Sequence, residues 1–241
     1  MCNHASALLI AALLVASPGL GCEGERAETL PADAATSAIG AGTDAMLELP
    51  PRTGSKRWPV VMILRGADAA DARSEDYAVA LLRQGIAVLE IHAPDEAVLD
   101  RTFAWVAAHP RLDAARVGVL GFWDGARVSL AAGRGAVVAL DPGCAGLALP
   151  REGVVLLVHG MAAPDAPACA ALDGTPGLTR LALPGIGHGW DLSPFATLAS
   201  ALLPDPSGVG RRRVRPDPVA AEALAPIVAA WLATQLQRRL P

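Results

Sequence analysis

The chain predicts an α/β domain with a mostly parallel central sheet and helices on both faces. Three observations carry this. From Pro59 onward, continuous apolar runs of strand length alternate with helical segments. No internal repeat interrupts the alternation. One run, Val117 to Gly121, passes through Phe122-Trp123-Asp124-Gly125 directly into an Ala- and Val-rich helical stretch. A short continuous apolar run fits a strand buried on both faces, and a β-helix-β order implies parallel pairing, because only a crossover brings the chain back in the same direction.

Composition sets the bounds. With 241 residues, 52% of them hydrophobic and 18% charged, the chain can bury a full core and reads as one globular domain with extensions. A net charge of -4 offers no basic field for nucleic acid. Beyond the N-terminus no stretch is expected to cross a bilayer. The expected partner is a small molecule or a protein, and the expected state is a monomer.

Residues 1–22 read as an export signal. Ala5 to Ala16 is a short apolar run, and Ser17-Pro18-Gly19-Leu20-Gly21-Cys22 follows it as a small-residue cleavage site. Pro18 and the glycines after it would stop a buried helix there. The small residues before Cys22 resemble a bacterial lipoprotein box, with Gly19 where a Leu is usual and with neither Lys nor Arg in Met1 to His4. Cys22 is therefore a candidate for lipidation, the sole membrane attachment expected, in a protein of the periplasm or anchored to a bacterial membrane. Residues 23–44, mostly Ala, Glu, Thr and Gly without periodicity, read as a flexible tether.

The folded domain is expected over 45–241. Strands are predicted at Met46 to Leu49, Pro59 to Leu64, Ile86 to Ile91, Val117 to Gly121, Ala136 to Leu140, Val154 to Val158 and Leu178 to Leu183. Helices are predicted at Tyr77 to Gln84, Glu96 to His109 (stopped by Pro110), Gly125 to Ala132 and Pro218 to Gln237. In the last, Ala221, Leu224, Ile227, Val228, Trp231 and Leu232 are predicted to share the buried face.

Gly121-Phe122-Trp123-Asp124-Gly125 has the backbone pattern of a nucleophile elbow, GxSxG, in which flanking small residues let the nucleophile sit on a strained strand-to-helix turn. Together with LLVHGMAAPD (156–165) and LPGIGHGWD (183–191), GFWDGA resembles the dienelactone hydrolase family, and the resemblance extends over most of the chain after about residue 45. It implies the α/β-hydrolase fold and a site made of a Ser or Cys nucleophile, an acid and a His, acting on esters or lactones without a cofactor or metal. Carried over position by position, the resemblance puts Trp123 at the nucleophile, Ala163 at the acid and His188 at the base. Gly66 and the amide of Asp124 are the candidate oxyanion-hole donors.

An indole cannot attack a carbonyl, so the expectation is an impaired or inactive hydrolase-like protein that acts by binding a small molecule or a protein. The alternative is an active hydrolase of small carboxylic esters or lactones that uses His188 with Asp124 as nucleophile or Asp165 as acid. For Asp124, that register sets Phe122 where a small residue belongs, and a helix N-terminal role is the simpler reading. For Asp165, the competing reading is a solvated loop carboxylate. His159, at a strand end, and His92 and His109, at element boundaries, read as structural. Cys2 and Cys22 fall in the signal, which leaves Cys144 and Cys169 in neighbouring loops at one end of the sheet, where an exported domain would join them in a disulfide. No Cys/His cluster has metal-ligand spacing.

Overall fold

The computed structural model describes residues 28–29, 45–51, 57–65, 73–92, 95–192, 202–206 and 210–237. Its main sheet has eight strands: β1 (Glu28–Thr29), β2 (Ala45–Leu49), β3 (Trp58–Arg65), β4 (Ala87–His92), β5 (Leu112–Phe122), β6 (Ala136–Leu140), β7 (Val154–Gly160) and β8 (Leu178–Leu183). The spatial order is β1-β2-β4-β3-β5-β6-β7-β8. From β4 to β8 in that order every pairing is parallel, whereas β2 runs antiparallel to β4 and β1 antiparallel to β2. The two residues of β1 lie in the stretch read as tether; Glu28 pairs with Leu49 and Thr29 with Glu48. The export signal and Cys22 lie outside the described residues, and so does Gly66.

Alternation along each strand fills both faces, as the unbroken apolar runs require. On one face Val61, Ile63, Val88, Leu120, Val138 and Leu156 pack beneath α1 (Arg73–Arg83) and α5 (Pro218–Gln237). On the other, Met62, Leu89 and Val119 pack beneath α2 (Glu96–Ala108), while Val137, Ala139 and Leu157 lie against α3 (Asp124–Ala132) and the short α4 (Ala166–Ala170). The start of α2 follows from its cap: the Asp95 carboxylate accepts the Val98 N–H at 2.7 Å.

Helix α5 buries its predicted face except at Ile227 and extends it to Ala225, Ala229 and Leu236. Leu224, Ala225, Val228, Ala229, Leu232 and Leu236 are buried, while Ile227 is 53% exposed. Ala and other apolar residues surround the helix axis, so periodicity barely favours one side and the docking surface decides. By length and apolarity α5 is long enough to cross a membrane, which the sequence reading did not expect; here its buried side packs on β5, β6 and α1.

The C-terminal ends of the parallel strands share one edge of the sheet, and the turns that leave it carry Trp123 after β5, Asp141 after β6 and His188 after β8. A small antiparallel ribbon, β9 (Leu202–Pro204) and β10 (Arg211–Arg213), lies close by. Its Leu203, together with Val214, packs against Trp123 and Leu192.

Candidate functional site

The turn after β5 is built as an elbow. A Cβ on Gly121 would come within 2.4 Å of the Gly125 carbonyl oxygen, and a Cβ on Gly125 within 2.5 Å of the Leu64 carbonyl oxygen, so neither glycine can carry a side chain without moving backbone. Between them Trp123 adopts φ 54°, ψ -114°. Among the described residues only Trp123 and Asp141 (φ 51°) are non-glycine residues with positive φ. Each such residue costs about 1–3 kcal/mol and persists only where its surroundings over-determine it.

Trp123 is 6% exposed, and its ring stacks on the His188 imidazole with centroids 5.1 Å apart and planes 23° apart. The Arg73 guanidinium lies 4.7 Å from the Trp123 ring centroid and 5.5 Å from that of Phe122. Behind His188, Nδ1 stands 2.6 Å from Asp141 Oδ2, with both side chains buried. The same oxygen accepts the Gly189 N–H at 2.8 Å, so one carboxylate fixes the ring and the backbone of the His loop. A carboxylate thus stands beside the imidazole, where an acid that orients a general base would stand. Nδ1 and Asp141 Oδ2 are in contact but not aligned as a hydrogen bond, and neither His188 Nε2 nor the indole Nε1 of Trp123 has a hydrogen-bond partner among the described residues. A buried donor left in that condition costs about 1–3 kcal/mol.

Asp191, which follows His188 on the same loop, pairs at 3.7 Å with Arg73. Burial, with the Asp191 and Asp76 charges adding to it and Arg73 opposing, holds the nearby Tyr77 phenol well above its ordinary pKa. Aromatic rings, one guanidinium and two carboxylates therefore occupy the space around the elbow.

The acid was misplaced by the sequence reading. Ala163, the expected acid position, is a buried turn residue, and the carboxylate against His188 comes instead from Asp141, one strand earlier in the sheet. The physical reason is the Gly189 amide, which docks the His loop onto the end of β6. Asp165, the candidate replacement, is engaged elsewhere: Oδ1 accepts Arg212 Nη1 at 2.6 Å and Oδ2 accepts the Cys144 N–H at 2.6 Å. It is 9% exposed, not a solvated loop carboxylate. Asp124 is exposed at the first position of α3, where its carboxylate accepts the Gly125 N–H at 3.0 Å. That is the geometry of a helix N-terminal residue, not of an attacking group.

Cys144 and Cys169 are joined in a disulfide. With Asp165 they form a compact buried group of metal-capable ligand atoms, but each sulfur is bonded to the other. His159 is buried, with Nε2 3.0 Å from Arg180 Nη1 and Nδ1 3.2 Å from the Gly160 carbonyl oxygen; its pKa is lowered, chiefly by burial.

Arg73, Asp141, Asp191 and Arg127 were not singled out in the sequence. A signal for Asp141 existed: Asp-Pro-Gly directly after the apolar run Ala136 to Leu140 puts a carboxylate at the C-terminal end of a parallel strand, where such sheets carry their sites.

No protein-family model matches the chain, and no curated protein matches it. Solved structures do. The esterase Est1E from Butyrivibrio proteoclasticus is similar at 12% identity and a TM-score of 0.59, over 88% of this chain and 99% of that one. A dienelactone hydrolase from Anabaena variabilis is similar at 19% identity and a TM-score of 0.59, over 87% of this chain and 98% of that one. A dienelactone hydrolase-like promiscuous phosphotriesterase from metagenomic libraries is similar at 18% identity and a TM-score of 0.56, over 87% and 97%. The chain has the α/β-hydrolase fold, with dienelactone hydrolase and related esterases among its structural neighbours.

Proposed function

We propose that this is an exported protein of the dienelactone hydrolase type that is silent as a hydrolase and works by binding a small molecule or a protein at or over the old active site. The observation that carries the reading is Trp123: at the position of the nucleophile stands a buried indole, stacked on the imidazole of His188. Losing the nucleophile of such a triad removes about a million-fold in turnover, and what an oxyanion hole and binding can still supply is about a thousand-fold over water. The groups left without partners, the Trp123 Nε1–H donor and the His188 Nε2 acceptor, favour a ligand that brings both a hydrogen-bond acceptor and a donor. The N-terminal sequence supports export, with a lipid on Cys22 as the membrane attachment. A mature N-terminus at Cys22 would agree, and residues retained before it would count against this.

The test is an assay of purified protein on short activated esters and lactones. Turnover is expected at background and unchanged by His188→Ala. A large fall on that substitution would mean that the imidazole works. The second reading, an active hydrolase of small esters or lactones, is favoured by one observation, the Asp141–His188 pair. A covalent adduct formed with substrate would select it.

A further inference from the structure

We infer that Arg127 positions Asp141 against His188, and that through it the elbow and the acid loop are held as one unit. Arg127 lies in the first turn of α3, where its N–H donates to the Trp123 carbonyl at 3.3 Å. Its guanidinium reaches in the other direction, into the segment after β6. Nη1 donates to the Pro142 carbonyl at 3.1 Å and to that of Gly143, and Nη2 donates to those of Ala145 and Gly146, each at 3.4 Å. Those carbonyls belong to an irregular stretch without strand or helix bonding of its own. Asp141 begins that stretch in a left-handed conformation, which the surroundings must impose.

Two other ties act on the same stretch. The Asp141 N–H donates to the Val158 carbonyl at 2.9 Å, fixing where the turn leaves the sheet. The Cys144–Cys169 disulfide and the Cys144 N–H bond to Asp165 fix its middle from the side of α4. Arg127 spans carbonyls on both sides of Cys144, a task for a planar fork of several donors; the compact ammonium of Lys cannot meet it. Since α3 begins at the elbow, the helix that follows the strained Trp123 and the stretch that follows the strained Asp141 are joined through one side chain. The inference concerns the geometry of the pair and stands whether the site binds or hydrolyses.

The test reads that geometry without using turnover. In the mature, disulfide-bonded protein, the Nδ1–H of His188 facing Asp141 should give a far-downfield proton resonance, assigned by its loss in His188→Gln. Arg127→Met keeps the stem and removes the donors, and the resonance should vanish while circular dichroism stays native. Arg127→Lys, the milder change if the Met variant does not fold, should shift and broaden it. Arg134→Met removes an exposed arginine paired with Asp100, two residues beyond the end of α3, and should leave it unchanged. A native resonance in folded Arg127→Met or Arg127→Lys protein overturns the inference, as does its absence from the unmodified protein. Esterase activity appearing in the unmodified protein would overturn the proposed function and leave this inference in place.

Discussion

Trp123→Ser alone should convert the site into a working triad. The base and its acid are already assembled, His188 Nδ1 being 2.6 Å from Asp141 Oδ2, and the elbow already holds residue 123 in its strained conformation. What the substitution supplies is a hydroxyl; what it removes is the ring that stacks on the imidazole at 5.1 Å. The stability side can be worked out. Emptying a well-packed Trp site costs about 3 to 5 kcal/mol, and the lost cation–π contact with Arg73 about 0.5 to 2 more. Against a typical domain stability of about 5 to 15 kcal/mol, the variant should fold but melt early. Trp123→Ala is the control that suffers the same cavity without gaining a nucleophile.

Restoring a nucleophile to an otherwise complete triad can return at most about a million-fold, and a partial return is expected here because the surrounding pocket is shaped for an indole. The assay is burst kinetics on a small activated ester, with intact mass to detect acyl-enzyme. Adding Asp141→Asn to the Ser variant should lower turnover by about ten-thousand-fold, whereas adding Ala163→Asp should bring no gain. A folded Trp123→Ser protein with no burst, or one indifferent to Asp141→Asn, would refute the reasoning, because it would mean the elbow no longer aims residue 123 at His188.

Other expectations follow from the same coordinates. The Cys144–Cys169 disulfide closes a loop with a sequence separation of 25, and loop-closure entropy puts its contribution at about 3.5 kcal/mol, so reductant should lower the urea midpoint accordingly. Without reductant, alkylation should label neither cysteine. Burial is the main cause that raises the Glu90 pKa above 4.5, with Ser74 and Arg65 opposing, so its neutral form favours the fold. Stability linked to Glu90 is complete below pH 4.5 and is lost as pH rises through the raised value; Glu90→Gln should flatten that loss in a Tm-against-pH series. His159 has the opposite sign. With its pKa lowered from 6.5 mainly by burial, its contribution is present above pH 6.5 and is lost as pH falls through the lowered value, and His159→Gln should remove that acid-side slope.

How much of this was legible in the sequence differs by kind of feature. The strands were legible because the runs PVVMIL, VGVL and VVLLVHG have no polar break, and only a sheet covered on both faces hides such runs. The elbow was legible because its glycines sit at fixed spacing in consecutive residues, Gly121 being demanded by the Gly125 carbonyl four residues on; the reason for Gly125, the Leu64 carbonyl on β3, is distant and was carried only by the pattern. Helix α5 was legible as a helix and only in part as a face, because Ala and Leu surround its axis and leave the orientation to the partner surface. Arg73 and Asp191 were hidden because they meet across 118 positions of sequence, and nothing local marks either as buried.

The acid shows where local pattern stops being informative. An Asp after β7 and an Asp after β6 are equivalent to a motif reader, since both leave a parallel strand at its C-terminal end. The loop that carries His188 chooses between them, and the bond that makes the choice, Gly189 N–H to Asp141, spans 48 residues. Asp165, the nearer match by pattern, was unavailable for an equally distant reason, its ion pair with Arg212, 47 residues on. Hence the sequence could show that residue 123 carries no nucleophile, a property of one side chain, but not that a carboxylate stands against His188, a property of loops meeting. Under the proposed function, the expected departure from a complete triad therefore narrows from residues 123 and 163 to residue 123. On the proposed reading Asp141 and His188 stand as acid and base beside a stacked indole, so one substitution, at residue 123, tests what the rest of the site can do.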